Sequence, residues 1–155
     1  MGDSSAPDGI NAAGVEGWFA ANVPDATLPL SYELIAGGHS NLTYAVTDAD
    51  GARFVLRRPP LGQVLATAHD MGREHTIISA LQQTAVPVAP VRGLCTDDAV
   101  NDAPFYVMDF VDGTVVRSAA EADALDVAAR QRAGESLVEV LAAIHAVDLD
   151  AVGLA

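Results

Sequence analysis

The 155-residue chain is half hydrophobic and 19% charged, which suffices for one apolar core but is too short for two ordinary domains. Its 8 basic and 21 acidic residues give a net charge of -13, which argues against nucleic acid or an anionic membrane as a partner. All eight basic residues are arginines, so a permanent cation in any site must be an arginine. One cysteine, an acidic N-terminus and the lack of a long apolar run predict a cytoplasmic protein.

The first third of the chain predicts a helix followed by strands. Residues 10–22 have the spacing of a short amphipathic packing helix, which the following Val23-Pro24 step ends. Short runs rich in branched and aromatic residues are separated by turn residues and predict three strands of an antiparallel meander, at 32–36, 42–47 and 53–58.

The rest of the chain adds a helix, two strands and a helical tail. Residues 66–81 have helical spacing, and strands are predicted at 91–95 and 105–110. The stretch 119–147 is helix-forming throughout, with Leu137, Leu141 and Ile144 marking the buried side of its second half. This order predicts an α+β fold, with an antiparallel sheet of about five strands and one packed helix.

A glycine-rich turn between the first two predicted strands is the first candidate site. Two adjacent glycines let the backbone approach a ligand, and the short polar side chains that follow suit a phosphate. The alternative is an ordinary hairpin turn with no ligand. The residues are Gly37, Gly38, His39, Ser40 and Asn41.

Arginines and a glutamate form the second candidate site. Arg57 and Arg58 end a strand and must point to opposite faces, but periodicity does not decide which of them looks toward the helix. The alternative is two solvated arginines at a strand end. Glu74 lies on an otherwise apolar helical stripe, so it needs a cation if buried, whereas at the edge of the stripe it would reach water. An ion pair between Arg57 and Glu74 with nitrogen to oxygen distances of about 2.7 to 2.9 Å is the prediction.

The glycine-rich turn between the first two strands, the arginine on the third strand and the glutamate on the following helix occur in the order found in the N-terminal lobe of kinases. The chain therefore resembles that lobe. The amino-acid sequences of four segments give a more specific resemblance. They resemble the aminoglycoside phosphotransferase family, in the branch related to kinase domains associated with acyl-CoA dehydrogenases. The segments are residues 34–41, 53–60, 66–74 and 104–113.

The resemblance implies ATP with magnesium as cofactor and assigns roles to individual residues. Residues 37–41 would lie over the phosphates, and Arg57 would replace the usual phosphate-binding lysine, with Glu74 as its helical partner. Met108 would sit at the rear of the adenine pocket. The hinge whose backbone bonds the adenine would comprise Asp109, Phe110 and Val111.

The resemblance also implies the domain organisation. We expect an N-terminal helical segment at 1–27, a kinase-like lobe at 28–112, and the beginning of a helical second lobe at 113–155. The family's catalytic loop and metal-binding aspartate have no counterpart in these residues, so no catalytic or metal-binding residue is predicted here. We therefore expect the 155-residue chain to be inactive alone and its parent to be an ATP-dependent phosphotransferase.

The implied partners are a nucleotide and a small-molecule hydroxyl acceptor whose identity the sequence does not give. A non-catalytic nucleotide-binding or protein-interaction module on the same lobe is the alternative. Because the helix at 133–147 carries more apolar positions than the small lobe can cover, we also expect the chain to form a homodimer.

Overall fold

The computed structural model describes residues 6–36, 41–62 and 70–155. The strands of this part are β1 Ser31–Ala36, β2 Leu42–Thr47, β3 Arg53–Arg58, β4 Val91–Cys95 and β5 Phe105–Asp109. The helices are α1 Ala12–Asn22, α2 Met71–Leu81, α3 Asp98–Asn101, α4 Ala119–Ala124 and α5 Val127–His145. Across these ranges, no helix combines the length and the apolar character that crossing a bilayer requires.

All five strands form one antiparallel sheet in the order β1-β2-β3-β5-β4. The predicted α+β class and the predicted meander of the first three strands are therefore confirmed. The chain leaves β3, forms α2 and the edge strand β4, and returns as β5 between β3 and β4. This return makes β3 a central strand with a neighbour on each side.

The hydrophobic core lies between the sheet and α1, which confirms the predicted packing role of this helix. Phe19 of α1 is fully buried and meets Phe54 edge to face at 5.6 Å between ring centroids. Trp18 meets Phe105 in the same way at 5.1 Å. The buried cluster comprises Val15, Phe19, Val23, Leu42, Tyr44, Val46, Phe54, Leu56, Cys95, Phe105 and Val107.

The alternation of side chains along β3 shows which of the two neighbouring arginines, Arg57 or Arg58, faces α2, a question that the sequence did not decide. Arg58 shares the α1 side of β3 with buried Phe54 and Leu56, and only 5% of it is exposed. Backbone oxygens accept its hydrogen bonds: Pro59 O at 3.2 Å, Asn101 O at 3.1 Å, and Gly9 O. Burial lowers the pKa of this guanidinium, and the ring of carbonyl dipoles offsets the loss of water. Arg57 therefore belongs to the opposite, α2-facing side.

The helices differ from the sequence prediction in three places. The predicted start of α2 at 66–69 lies outside the described residues, and α2 begins at Met71. The segment between the predicted strands 91–95 and 105–110 contains α3, which Asp97 caps by accepting the N–H of Ala99 at 2.9 Å. The continuous helix expected at 119–147 is divided because Asp126 caps a new start, accepting the N–H of Ala129 at 2.7 Å.

The chain divides into two compact units. The first comprises residues 1–79 and 89–110 and holds the whole sheet; the second comprises residues 80–88 and 111–155 and holds α4 and α5. The domain boundaries expected at 27 and 112 stay predictions.

The apolar side of α5 is the main correction to the predicted burial. Leu137, Leu141 and Ile144, expected to be buried, are 71%, 51% and 47% exposed. The apolar spacing of α5 therefore does not mark buried positions. Pairing of two copies through this surface stays a prediction.

The turn between β2 and β3 is organised by one carboxylate, that of Asp48. Its Oδ1 accepts the N–H groups of Asp50 at 3.0 Å and Ala52 at 2.7 Å. Its Oδ2 accepts the N–H of Thr27 at 2.9 Å, which ties the turn to the segment before β1. The Thr27 bond above all, and then the turn amides, lowers the pKa of Asp48.

Asp48→Asn should destabilise the fold at neutral pH, because the new amide nitrogen would face one of these N–H donors. A lowered folded pKa means that the carboxylate stabilises the fold above the ordinary aspartate pKa of about 3.9 and loses that effect as the pH falls through the folded value. We therefore expect thermal unfolding to show a clearly lower Tm for the variant at pH 7 and a shrinking difference below about pH 4. Asp50→Asn, which changes the same charge on an exposed side chain, is the control. Equal Tm values for the two variants would contradict this role.

Candidate nucleotide-binding site

Three side chains form a row across the centre of the sheet on the side that faces α2. Thr43 in β2 is the register partner of Arg57 in β3, and Arg57 is in turn the partner of Tyr106 in β5. Directly opposite residues in an antiparallel pair point to the same face with Cβ atoms about 4.5 to 5.5 Å apart. The row is therefore set by backbone register, and Arg57 occupies its middle.

Glu74, in the first turn of α2, binds this row from above. Arg57 Nε donates to its Oε2 at 2.8 Å, which confirms the predicted ion pair and its length. Tyr106 Oη donates to the same oxygen at 3.2 Å. The side-chain amide of Asn41, just before β2, donates to the other oxygen, Oε1, at 2.6 Å. One carboxylate thus joins a helix to side chains from β3, from β5 and from the residue that precedes β2.

The surroundings of this carboxylate are only partly open to water. The side chains of Arg57 and Glu74 are 31% and 30% exposed, while Tyr106 is almost fully buried. Burial first, and then the charge of Glu74, raises the pKa of Tyr106 well above its ordinary value. The phenol therefore stays protonated and serves as a hydrogen-bond donor to the carboxylate over the whole physiological range.

A cavity of about 360 Å³ adjoins the ion pair. Its polar lining consists of Arg57, Glu74 and Tyr106, and its apolar lining of Ile77, Ile78 and Met108. Met108, predicted to lie at the rear of an adenine pocket, therefore lines the same cavity as Arg57, the predicted phosphate-binding cation. A mostly apolar hollow with a few convergent polar groups is the usual form of a small-molecule site.

Two of the three predicted hinge residues, Asp109 and Phe110, are held by backbone hydrogen bonds. The N–H of Asp109 donates to Pro90 O at 2.8 Å, and the N–H of Phe110 donates to Arg53 O at 3.3 Å. The guanidinium of Arg53 also lies 3.5 Å from the centre of the Phe110 ring. Val111, the third predicted hinge residue, is 66% exposed. These contacts commit the two N–H groups of Asp109 and Phe110 to the sheet.

The side chain of Asp109 has a structural partner. It forms an ion pair with Arg92 of β4, and Arg92 Nη1 also reaches Asp25 Oδ2 at 3.1 Å. The hydrogen bond to Asp109 above all raises the pKa of Arg92. The Asp109 carboxylate thus fastens the end of β5 to the edge strand.

Four of the predicted site residues, Gly37, Gly38, His39 and Ser40, lie outside the described residues. Of the same turn, Asn41 is described; it is 7% exposed and turns its amide nitrogen to Glu74.

Sequence reasoning missed Thr43 and Tyr106. Thr43 had a usable signal, because the short turn at 48–51 fixes the register of β2 against β3. Tyr106 had none, because the pairing of β3 with β5 is non-local.

An antiparallel five-stranded sheet whose third strand pairs an arginine with a helical glutamate, beside an apolar cavity, defines the class of kinase-like N-terminal lobes. Comparison with known proteins supports this class. The sequence model of the phosphotransferase enzyme family matches residues 31–155, and the chain belongs to this family.

Solved and curated relatives agree with the assignment. The crystal structure of a Ralstonia eutropha protein assigned as an aminoglycoside phosphotransferase superimposes with a TM-score of 0.73 at 31% identity, over 93% of this chain and 40% of that one. A probable acyl-CoA dehydrogenase of Arabidopsis thaliana is 35% identical over 136 residues, which are 83% of this chain. Mouse acyl-CoA dehydrogenase family member 10 is 35% identical over 129 residues, again 83% of this chain.

The chain matches only a part of each relative. It spans 16% of the Arabidopsis protein, 12% of the mouse protein and 40% of the Ralstonia chain. The likeness therefore concerns a part of each of these proteins, and it confirms the resemblance to the branch associated with acyl-CoA dehydrogenases.

Removing either partner of the ion pair should lower the free energy of unfolding, and a double-mutant cycle should isolate the pair. With Arg57→Met and Glu74→Gln we expect a coupling free energy of about 1 kcal/mol at low salt, because groups that are one third exposed are partly screened by water. Added salt should reduce the coupling.

The control cycle combines Glu74→Gln with Arg92→Met. Arg92 binds the carboxylates of Asp25 and Asp109, so the two changes should be additive. Urea unfolding of the variants measures both cycles. Additive effects in the Arg57 cycle at low salt would show that the contact contributes nothing.

Proposed function

We propose that this chain is the ATP-binding lobe of a small-molecule phosphotransferase, whose parent transfers the γ-phosphoryl group to a hydroxyl acceptor. The observation that supports this most is the Arg57–Glu74 pair beside an apolar cavity, in a chain of the phosphotransferase enzyme family. A fixed cation and an apolar hollow suit the two ends of a nucleotide, its phosphates and its base.

Arg57 is the proposed phosphate ligand. Its region is the least acidic of the chain, since residues 45–96 carry five arginines and four acidic residues. Glu74 keeps the guanidinium beside the cavity, and a guanidinium can hold a carboxylate and a phosphate at once through different nitrogens. Glu74 is therefore proposed to orient the cation without itself touching the nucleotide.

The base would occupy the apolar side of the cavity near Met108, with the hinge at Asp109, Phe110 and Val111. Because the N–H groups of Asp109 and Phe110 are bonded within the sheet, their carbonyl oxygens or the backbone of Val111 would have to bond the adenine edge. The turn residues 37–40 remain the proposed cover of the phosphates.

Magnesium is the expected companion of ATP, and when bound it would neutralise phosphate charge. Within residues 6–36, 41–62 and 70–155, no group of three His, Cys, Asp or Glu side chains is placed to hold a metal ion. We therefore assign none of the described residues as a magnesium ligand.

The extent of the match favours a second candidate. The chain spans only 12 to 16% of the acyl-CoA dehydrogenase relatives, so the lobe can also be a nucleotide-binding or interaction module of a larger protein without turnover. Assays for phosphoryl transfer by the whole parent protein distinguish the two, since only the enzyme transfers phosphate.

The chain alone should bind a magnesium-bound, non-hydrolysable ATP analogue without hydrolysing ATP. Isothermal titration calorimetry should give a measurable Kd for the wild type, and Arg57→Gln should weaken binding about tenfold or more, since hydrogen bonds to charged groups contribute about 1.5 to 3 kcal/mol. Arg132→Gln, which removes the same charge from exposed α5, should leave the Kd unchanged.

Two results would contradict the proposal. If no heat of binding is measured at millimolar concentrations of the analogue, the chain does not bind ATP and the proposed function is wrong. Steady hydrolysis of ATP by the 155-residue chain would show that it contains the catalytic groups, and the inactivity expected of it would be wrong.

A further inference from the structure

The guanidinium of Arg57 is held at two of its three nitrogens. Nε donates to Glu74 Oε2 at 2.8 Å, and Nη1 donates to Thr43 Oγ1 at 3.0 Å. A single bond at Nε would leave the plane of the group free to turn about that bond. A second bond at Nη1 stops this rotation, because the five N–H groups of a guanidinium have fixed relative directions.

The two holding contacts leave one nitrogen available. Among the described residues, Nη2 of Arg57 has no hydrogen-bond partner, although the side chain is only 31% exposed and lines the cavity. Thr43, by contrast, is 8% exposed, so its hydroxyl is a fixed point of the sheet. The orientation of the guanidinium is thus set by a buried threonine directly opposite it in the β2–β3 ladder.

We propose that Thr43 is a positioning residue that fixes the plane of the Arg57 guanidinium, so that Nη2 faces a phosphate of the nucleotide. This inference rests on the proposed function. Tyr106, on the other side of Arg57, also helps to fix the guanidinium. Its hydroxyl donates to Glu74 Oε2, the oxygen that accepts the hydrogen bond of Arg57 Nε. The row of Thr43, Arg57 and Tyr106 therefore works as one unit that presents a single cationic group.

The chemistry of arginine explains why such a unit is needed here. A lysine ammonium is a compact point charge that any rotation leaves unchanged, whereas a guanidinium must be correctly oriented before it can donate to a given oxygen. With no lysine in the chain, an arginine at position 57 needs a second contact to present a defined edge. The hydroxyl at position 43 supplies that contact.

The test compares Thr43→Val, which removes the hydroxyl at nearly constant volume, with Thr43→Ser, which retains it. Thr47→Val is the matched control, since Thr47 lies on the same strand and face, opposite Arg53. The first readout needs no nucleotide: NMR spectra of the arginine side chains report whether Nη1 and Nη2 of Arg57 give separate signals. Separate signals in the wild type, Thr43→Ser and Thr47→Val, with averaged signals in Thr43→Val, are expected.

The second readout is binding of two probes, followed by NMR titration. For the magnesium-bound ATP analogue, Thr43→Val should raise the Kd by roughly 3- to 10-fold, the loss that corresponds to one net hydrogen bond. Adenosine, which has no phosphate, should bind all variants equally. Thr43→Ser should restore the affinity for the analogue. Should Thr43→Val fail to fold, Tyr106→Phe, which retains the packed ring, should show the same selective loss.

Separate Arg57 signals and unchanged analogue affinity in Thr43→Val would overturn the inference, as would equal losses for adenosine and the analogue. A wild-type chain that binds no analogue would overturn the proposed function and with it the phosphate contact. In that case the NMR signals would still show whether Thr43 holds the guanidinium, so the two failures are distinguishable.

Discussion

A carboxylate that is two-thirds withdrawn from water has to find its hydrogen bonds within the protein, and Glu74 finds three among the described residues. They come from Asn41 ahead of β2, from Arg57 in β3 and from Tyr106 in β5. Because unsatisfied buried charge is costly, these bonds determine where α2 can lie against the sheet. The cavity beside the pair, and the direction in which Arg57 points, both depend on this arrangement.

The central strand β3 uses its two faces for different purposes. On the α1 side, Phe54 and Leu56 belong to the hydrophobic core, and Arg58 ends the row by bonding backbone oxygens. On the α2 side, Arg57 is bonded by side chains and lines the cavity. Two neighbouring arginines thus have unrelated roles, because alternate residues of a strand point to opposite faces. Stability resides mainly on one face and the proposed binding on the other.

Much of the lobe could be predicted from local signals. Branched residues between turns located the strands, and the lack of lysine together with a glutamate on an apolar stripe predicted the pair with Arg57, which the structure confirms. Tyr106 could not be predicted, because its place beside Arg57 depends on β5 inserting between β3 and β4. The predicted burial of Leu137 was wrong, because periodicity shows which side of a helix is apolar but not whether that side is covered. The roles given to Gly37, Met108 and the hinge stay predictions.

Arg57, oriented by Glu74 and Thr43, is proposed to bind phosphate. A crystal structure of the chain with magnesium and a non-hydrolysable ATP analogue tests it most directly. We expect a phosphate oxygen about 2.7 to 2.9 Å from Nη2 of Arg57, while the bonds of Nε to Glu74 and of Nη1 to Thr43 persist. An analogue bound with its phosphates away from Arg57, or an Arg57 side chain that leaves Glu74 to reach them, would contradict it.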